Sequence, residues 1–457
     1  MNRSLLLILA AALITAPAFA EPSQSAFAIT NVTVIPMDSD RAVPAQTVIV
    51  RAGRIESIGP ARSARVPRDA TTIDGRGRYL MPGLAEMHAH VPPQPDSEQW
   101  TQDVLFLYVA NGITFARSML GAPHHLELRE RAERGDLLSP RIYTSGPSLN
   151  GNSVASPDDG RRLVAAHAEA GYDFLKIHPG LDRARYDAVV AAAHEHGIAF
   201  GGHVPSAVGL FRALEARQAT IDHLDEFMTP LLRDGSPLAN APANFFGWNL
   251  AGHIDTGKIS AVVRATRESG VWVVPTESLI QHVLLSEPGA DALAARPEMR
   301  FVPPEMRARW VEVKGNVQAN SNYDAQLVRR FVEVRAELMR ALHEAGVGFL
   351  LGSDAPQIFN VPGFAIHHEL RMLVEAGLTP FEVLASGTRN VARFIGEEDA
   401  FGTVAVGKRA DLLLLDANPL VNVANVQRRA GVMVNGRWLP EREIQAGLAE
   451  IAARYAD

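Results

Sequence analysis

Cysteine is missing from all 457 residues of this chain, and that absence removes several options at once. No disulfide can staple the fold, no thiolate can serve as nucleophile or metal ligand, and no lipid can be attached to an N-terminal cysteine. Stability has to come from a large core, which 47% hydrophobic residues can fill, and from any metal the chain holds. An excess of positive charge is missing too. Lys and Arg number 44 against 51 Asp and Glu, a formal net charge of −7, which argues against nucleic acid as a partner and leaves small substrates open. A membrane-length apolar run is also lacking: Leu5–Ala16 is too short for a stable span. With Arg3 before it and Ala18-Phe19-Ala20 after it, this run reads as a secretory signal over residues 1–20, cleaved before Glu21. The expected location is therefore the periplasm or the medium, without a membrane anchor. There is no internal repeat and no low-complexity tract.

What is present is an ordered alternation. Residues 27–80 carry short, β-branched, alternating stretches separated by glycine turns, the pattern of a small β-structure. The pattern returns at Asp411–Asp416 and at Arg429–Trp438, where Asn435-Gly436 is a hairpin signal. Between these flanks, strand-like segments end near His90, Arg117, Ser145, His178, His203, His223, Thr276 and Asp354. Alanine-rich helical stretches such as Asp158–Ala170 and Ala184–His196 lie between several of them. Eight such alternations predict an α/β fold, a (β/α)8 barrel over 81–400, with a small β-sandwich formed by 21–80 and 401–457. The span exceeds the ~250 residues typical of such a barrel. The excess sits at 280–335, either an active-site lid or a solvated decoration.

His88 and His90 close the apolar run that begins at Tyr79. Two histidines at i and i+2 on a strand share a face, so both imidazoles can converge on one metal ion. Two polar residues at a strand exit would look the same, and the pair alone does not decide. Active sites of such barrels lie at the C-terminal ends of the strands, and there the chain supplies Lys176, then His203, His223 and Asp354. Each follows or ends an apolar run, and five strands carrying metal-ligand or lysine side chains at one end make a site.

On these residues the chain resembles the amidohydrolase superfamily of metal-dependent hydrolases, over its whole mature length. The resemblance rests on the His-x-His after Met81-Pro82-Gly83-Leu84, the lysine strand Asp173-Phe174-Leu175-Lys176-Ile177, the two later histidines, Asp354, and the tail from Gly402 to Leu412. It is similar to the prolidase-like and imidazolonepropionase-like branch. The resemblance implies that His88, His90 and Asp354 hold the more buried of two divalent ions, with zinc expected, and His203 and His223 the more exposed one. It implies that Lys176, carboxylated by CO2, bridges them, and that Asp354 moves the proton between the attacking water and the leaving amine. The implied activity is cleavage of a C–N amide or peptide bond in a dipeptide, an Xaa-Pro or an N-acyl amino acid substrate. Cyclic amide, lactone or phosphotriester hydrolysis is the alternative on the same metal pair. A non-catalytic metal-binding or interaction protein would not need the complete ligand set. The oligomeric state stays open, a homo-oligomer included.

Five further residues are candidates for contact with substrate. His178 shares the face of Lys176, Arg117 ends the second strand and can bind a carboxylate or pair with an acid, and Asn150 lies in the polar loop after the third strand. His367 and His368 follow the eighth strand, either beside the substrate or at a helix surface. Tyr143 and Tyr172 carry less weight. His124, His125, His194 and His196 fall in helical or loop segments and are expected to be solvated. The third-strand loop lacks the Gly-Gly-His found in many relatives.

Overall fold

The computed structural model describes residues 26–93, 98–239 and 244–456; the expected signal at 1–20 lies outside the described residues. The N-terminal alternation forms β1 Ala26–Val34, β2 Val43–Arg51, β3 Arg54–Pro60, β4 Ala70–Asp74 and β5 Tyr79–Pro82. β1 pairs antiparallel with β2 on one side. Its other side is shared, parallel with β4 over Ala26–Thr30 and with β5 at Thr33–Val34.

The apolar runs that follow are β6 Leu84–Ala89, β7 Ile113–Ser118 and β8 Arg141–Thr144, then β9 Phe174–Ile177, β10 Ala199–Gly202, β11 Thr220–Asp222 and β12 Trp272–Val274. β6, β7 and β9 are buried at every position, as parallel strands covered on both faces must be. β6–β8 form one parallel sheet and β9–β12 another. Parallel bridges from Ser145 to Phe174 and from Leu149 to Ile177 join the first sheet to the second. The expected eighth strand, 348–354, is not a continuous ladder. It bonds to β12 through Val273 and Phe349, then to β6 through Met87 N–Leu351 O (2.8 Å) and Asp354 N–His88 O (2.9 Å). The change of partner midway is why no regular strand forms. Parallel pairing thus leads from β6 through β12 and back to β6. Gly352 permits the close approach, since a Cβ there would lie 2.8 Å from His88 N.

The helices between strands begin and end where capping chemistry dictates. Pro157–Ala170 starts with the Ser156 side chain accepting from Asp159 N and ends at left-handed Gly171; Arg183–His196 starts at Asp182 and ends at left-handed Gly197. β13 Leu412–Leu415, β14 Arg429–Val434 and β15 Arg437–Pro440 extend the N-terminal sheet of β1–β5 in the order β15-β14-β13-β5-β1-β2-β3, with β4 beside β1. N- and C-terminal segments therefore share one sheet. Its core includes Ile29, Val48, Leu80, Leu412 and Met433. Asn435 and Gly436 both take positive φ, as a two-residue hairpin turn requires. Among the described residues no helix is long and apolar enough to cross a membrane.

The 280–335 segment folds into helices, chiefly Pro304–Ala319 and the start of Ala325–Glu344, after the helix Glu277–Leu284. Buried cations tie these helices to the strand ends. Lys314 donates to the carbonyls of His282 and Leu285, at 2.7 and 2.6 Å. Arg335, fully buried, pairs with Glu277 and donates to the carbonyls of His223 (2.7 Å) and Pro275 (3.0 Å). Arg335→Met should cost about 3–5 kcal/mol, because Glu277 is left as an unpaired buried charge. Glu277→Gln added to it should recover part of that loss. Denaturant midpoints check both, and a midpoint for Arg335→Met equal to the parent's would contradict the argument.

Candidate active site

The six residues expected as ligands converge. His88 lies in β6 and His90 directly after it; Lys176 sits in β9, His203 one residue past β10 and His223 one residue past β11. Asp354 arrives from the bridged segment that closes against β6. Ligand atoms of His88, His90 and Asp354 all lie within 4.8 Å of one another. His90 Nε2 is 2.7 Å from Asp354 Oδ1, and Lys176 Nζ is 3.3 Å from His88 Nε2. The His223 ring stands 4.6 Å from that of His88 and 4.5 Å from that of His203, and its Nε2 is 3.8 Å from Asp354 Oδ2. Gly202, at φ 117°, leaves room for the lysine stem: a Cβ there would lie 2.7 Å from Lys176 Cδ.

Three of the four imidazoles have a polar group behind them. His88 Nδ1 is 2.8 Å from Asp222 Oδ2, and His203 Nδ1 is 2.7 Å from Asp225 Oδ2. His223 Nδ1 is 2.8 Å from Thr276 Oγ1, whose hydroxyl donates to the Pro275 carbonyl. Thr276 must then accept from His223 Nδ1–H, which leaves the Nε2 lone pair facing the cluster. That Nε2 is buried without a hydrogen-bond partner among the described residues. A buried acceptor with nothing to accept costs desolvation energy unless something else takes it up. His223, Thr276 and Asp354 also hold left-handed backbone angles, φ 62°, 51° and 64°, strain of the kind that collects at functional sites.

Burial sets the charge states. It pushes the imidazole of His203 down to about 3 and that of His178 to about 2, and it lowers His88 and His223 as well. These rings are neutral, as ligands must be. Burial also lowers the Lys176 ammonium, opposed by Asp222 and Asp354 and helped by Arg117. The same effect raises Asp225 to about 7. Four inward imidazoles, one carboxylate and a buried lysine whose charge is disfavoured by burial make a donor set that fits divalent metal. Asp225→Asn, which removes the anion behind His203, should lower metal affinity or kcat/KM about 10- to 100-fold. Metal titration with steady-state kinetics checks this; an unchanged variant would make Asp225 a bystander.

Of the weaker candidates, only His178 joins the cluster, its ring 4.9 Å from that of His203. The others are each held by protein partners, Arg117 by the neighbouring acid that is one of its two readings. Arg117 is buried, donating to the Met87 carbonyl at 2.7 Å and to Asp222 Oδ2 at 3.2 Å, so it supports Asp222 instead of meeting a substrate. Asn150 turns back on its own loop: its Oδ1 accepts from Asn152 N and Ser153 N, and its amide donates to Ser148. His367 pairs with Asn111 at 3.1 Å, and His368 with Glu298 at 3.0 Å. His125 is not solvated but fully buried, 3.3 Å from the Pro92 carbonyl, and burial takes it down to about 4. Sequence reading missed Asp222, Asp225, Thr276, Glu277 and Arg335. It also missed Glu86, whose carboxylate accepts from His88 N and Ser353 N and ties β6 to the closing segment. A carboxylate inside the apolar run of β6 was the available signal for Glu86.

The sequence pattern of the amidohydrolase family matches residues 79–439. The chain belongs to the amidohydrolase family. As an amidohydrolase it is a hydrolase acting on carbon–nitrogen bonds. It is 25% identical over 395 residues to an imidazolonepropionase of Symbiobacterium thermophilum, covering 83% of this chain and 85% of that one. Among solved structures, bottromycin amidohydrolase superposes with a TM-score of 0.70 at 22% identity, covering 94% of this amidohydrolase and 91% of the other chain. A Xaa-Pro dipeptidase with bound methionine gives 0.64 at 18%, covering 91% and 100%. At these identities the structural likeness speaks for the fold.

Proposed function

We propose that this amidohydrolase is an exported, binuclear metal enzyme that cleaves the C–N bond of an amide or peptide, in dipeptide, Xaa-Pro or N-acyl amino acid type substrates. One observation carries the reading: His88, His90, Lys176, His203, His223 and Asp354 meet from five strand ends at one buried point, where His223 Nε2 has no hydrogen-bond partner among the described residues. The parallel pairing that returns to β6 supports a closed (β/α)8 barrel over 81–400 carrying this site, with the terminal segments as a separate small β-domain. Export rests on the leader pattern of residues 1–20.

His88, His90 and Asp354 would hold one divalent ion and His203 and His223 the other. Lys176 would be the anion they share: its neutral amine adds CO2 and releases one proton, giving a carbamate where an ammonium could not ligate. When bound, the ions would polarise the scissile carbonyl and activate a water molecule for attack on it. Asp354 is the carboxylate within reach of that chemistry. It accepts the proton of the attacking water and delivers it to the leaving nitrogen, acting as base and then as acid. Asp225 and Thr276 keep His203 and His223 in the tautomers this needs, and Asp222 stands behind His88.

The test is a zinc-loaded preparation assayed against dipeptides, N-acyl amino acids, lactones and phosphotriesters, with metal counted in the same sample. About two ions per chain and amide turnover are expected. Turnover of lactones or phosphotriesters alone would replace the bond assignment. Inactivity toward the whole panel, or metal content near zero after loading, would overturn the reading.

A further inference from the structure

A cavity of about 270 Å³ opens beside His203, and its lining is of two kinds. One wall is apolar: Phe245, Phe246, Met228 and Leu250. Phe246 takes φ 57° at a kink, and its ring reaches to 5.1 Å from that of His223, so this wall runs directly into the ligand cluster. Phe245 packs on Phe246 at 4.0 Å between centroids and is 46% exposed, an aromatic at the mouth. The lining also carries Glu226, the residue after the aspartate that holds His203. Its carboxylate is fixed in place, Ser206 Oγ donating to Oε1 at 2.7 Å and Thr229 Oγ1 to Oε2 at 3.0 Å. A carboxylate has about four acceptor sites, and those two hydroxyls fill two of them. No Lys or Arg lines the cavity among the described residues; Arg183 and Arg212 line a neighbouring pocket that shares Ser206, Glu226 and Thr229, but both are paired with Asp187, at 2.9 and 2.8 Å. The strand-end loops 118–125, 145–156, 178–182, 203–209 and 355–363 also contain none, while the long segment after β11 carries Arg233 and Lys258, neither in the cavity lining and Lys258 paired with Asp234 at 2.6 Å.

We propose that Glu226 receives an ammonium group of the substrate while Phe245 and Phe246 hold an apolar arm, so that the preferred substrates are amides with a free amine and an apolar side chain, ahead of N-acyl amino acids. The physical ground is charge complementarity in a half-enclosed space: an oriented carboxylate with acceptor sites to spare, beside aromatic faces, suits a cation with a hydrocarbon arm. A substrate bearing a carboxylate in place of that amine would meet Glu226 with like charge and no cation in the described cavity lining. The assignment rests on the hydrolase reading above, and the experiment separates the two.

Binding of phenethylamine and of its neutral counterpart 2-phenylethanol is measured by calorimetry on the zinc-loaded protein, for wild type, Glu226→Gln and Phe246→Ala. Turnover of phenylalanine anilide and of its des-amino analogue is measured alongside. Wild type should prefer the amine of each pair by about 10- to 100-fold, the range for a hydrogen bond between charged groups. Glu226→Gln should bring both ratios close to one while leaving 2-phenylethanol binding unchanged, which also shows that the variant is folded. Phe246→Ala should weaken both probes together. Equal binding of the two probes by wild type, or an amine preference that survives in Glu226→Gln because the amine ligates metal, would overturn the assignment. If neither anilide is hydrolysed but the Glu226-dependent binding preference holds, the hydrolase reading fails and the cavity assignment stands. If both are hydrolysed without preference, the assignment fails and the hydrolase reading stands.

Discussion

Lys176→Ala is expected to lose turnover by on the order of 10³-fold or more and to retain less than the full metal complement. The lysine is buried, with Nζ 3.3 Å from His88 Nε2, and it is carried on β9 opposite Gly201 of β10. An ammonium there is disfavoured by burial and by the Arg117 guanidinium, against the pull of Asp222 and Asp354. In the proposed function CO2 converts this amine to an anion, and alanine offers neither amine nor anion. Electrophilic assistance of this kind is worth several kcal/mol, and each 1.36 kcal/mol is tenfold in rate, which gives the stated loss. Metal per chain should fall from about two to one or fewer, measured on the same samples as kcat/KM. Lys176→Arg serves as the control for charge and bulk. A guanidinium cannot form the carbamate, so it should be as inactive as the alanine variant. Small carboxylates such as acetate, which fit the space vacated in Lys176→Ala, should restore part of the activity and none in Lys176→Arg. Wild-type turnover by either variant would remove Lys176 from the mechanism.

How much of this was legible in the sequence follows from how local each signal is. The i, i+2 spacing of His88 and His90 on an apolar run, and a polar residue at each later strand end, are read along the chain, and the six converge in space. The groups that orient them are not local. Thr276 lies 53 residues from His223, and Asp222 lies 105 from the Arg117 that supports it. Arg117 shows why: a cation at a strand end reads as a carboxylate binder until the fold supplies Asp222 as its partner. Asn150 and His125 fail for a related reason, since a polar side chain in a loop or helix is satisfied by neighbouring backbone as readily as by solvent or ligand. The eighth strand was legible in its residues but not in its pairing, because it divides its bonds between β12 and β6. The cavity beside His203 had no signal at all. Phe246 reaches it only through a backbone kink, and Glu226 through a turn with φ 61°.

Asp354→Asn should leave the fold and most of the bound metal in place and lower kcat/KM for an alkyl amide by roughly 10²- to 10⁴-fold, the range for losing a positioned acid–base group. The segment around Asp354 is fixed by bonds the substitution does not touch, from Asp354 N to the His88 carbonyl at 2.9 Å and from Ser353 to Glu86. Asparagine keeps one carbonyl oxygen toward His90 but has no basic site for a proton. Loss of turnover alone would not separate a proton carrier from a ligand, so the leaving group is the deciding variable. An alkyl amine must be protonated as it departs, whereas an alkoxide or an electron-poor aniline needs far less help. If Asp354 carries the proton, the loss should be at least about tenfold smaller for an ester or a nitroanilide than for the matched alkyl amide. If Asp354 acts only by holding metal, the loss will be the same for every leaving group and will track metal content. A uniform loss would therefore keep Asp354 in the metal site and give the proton to another group.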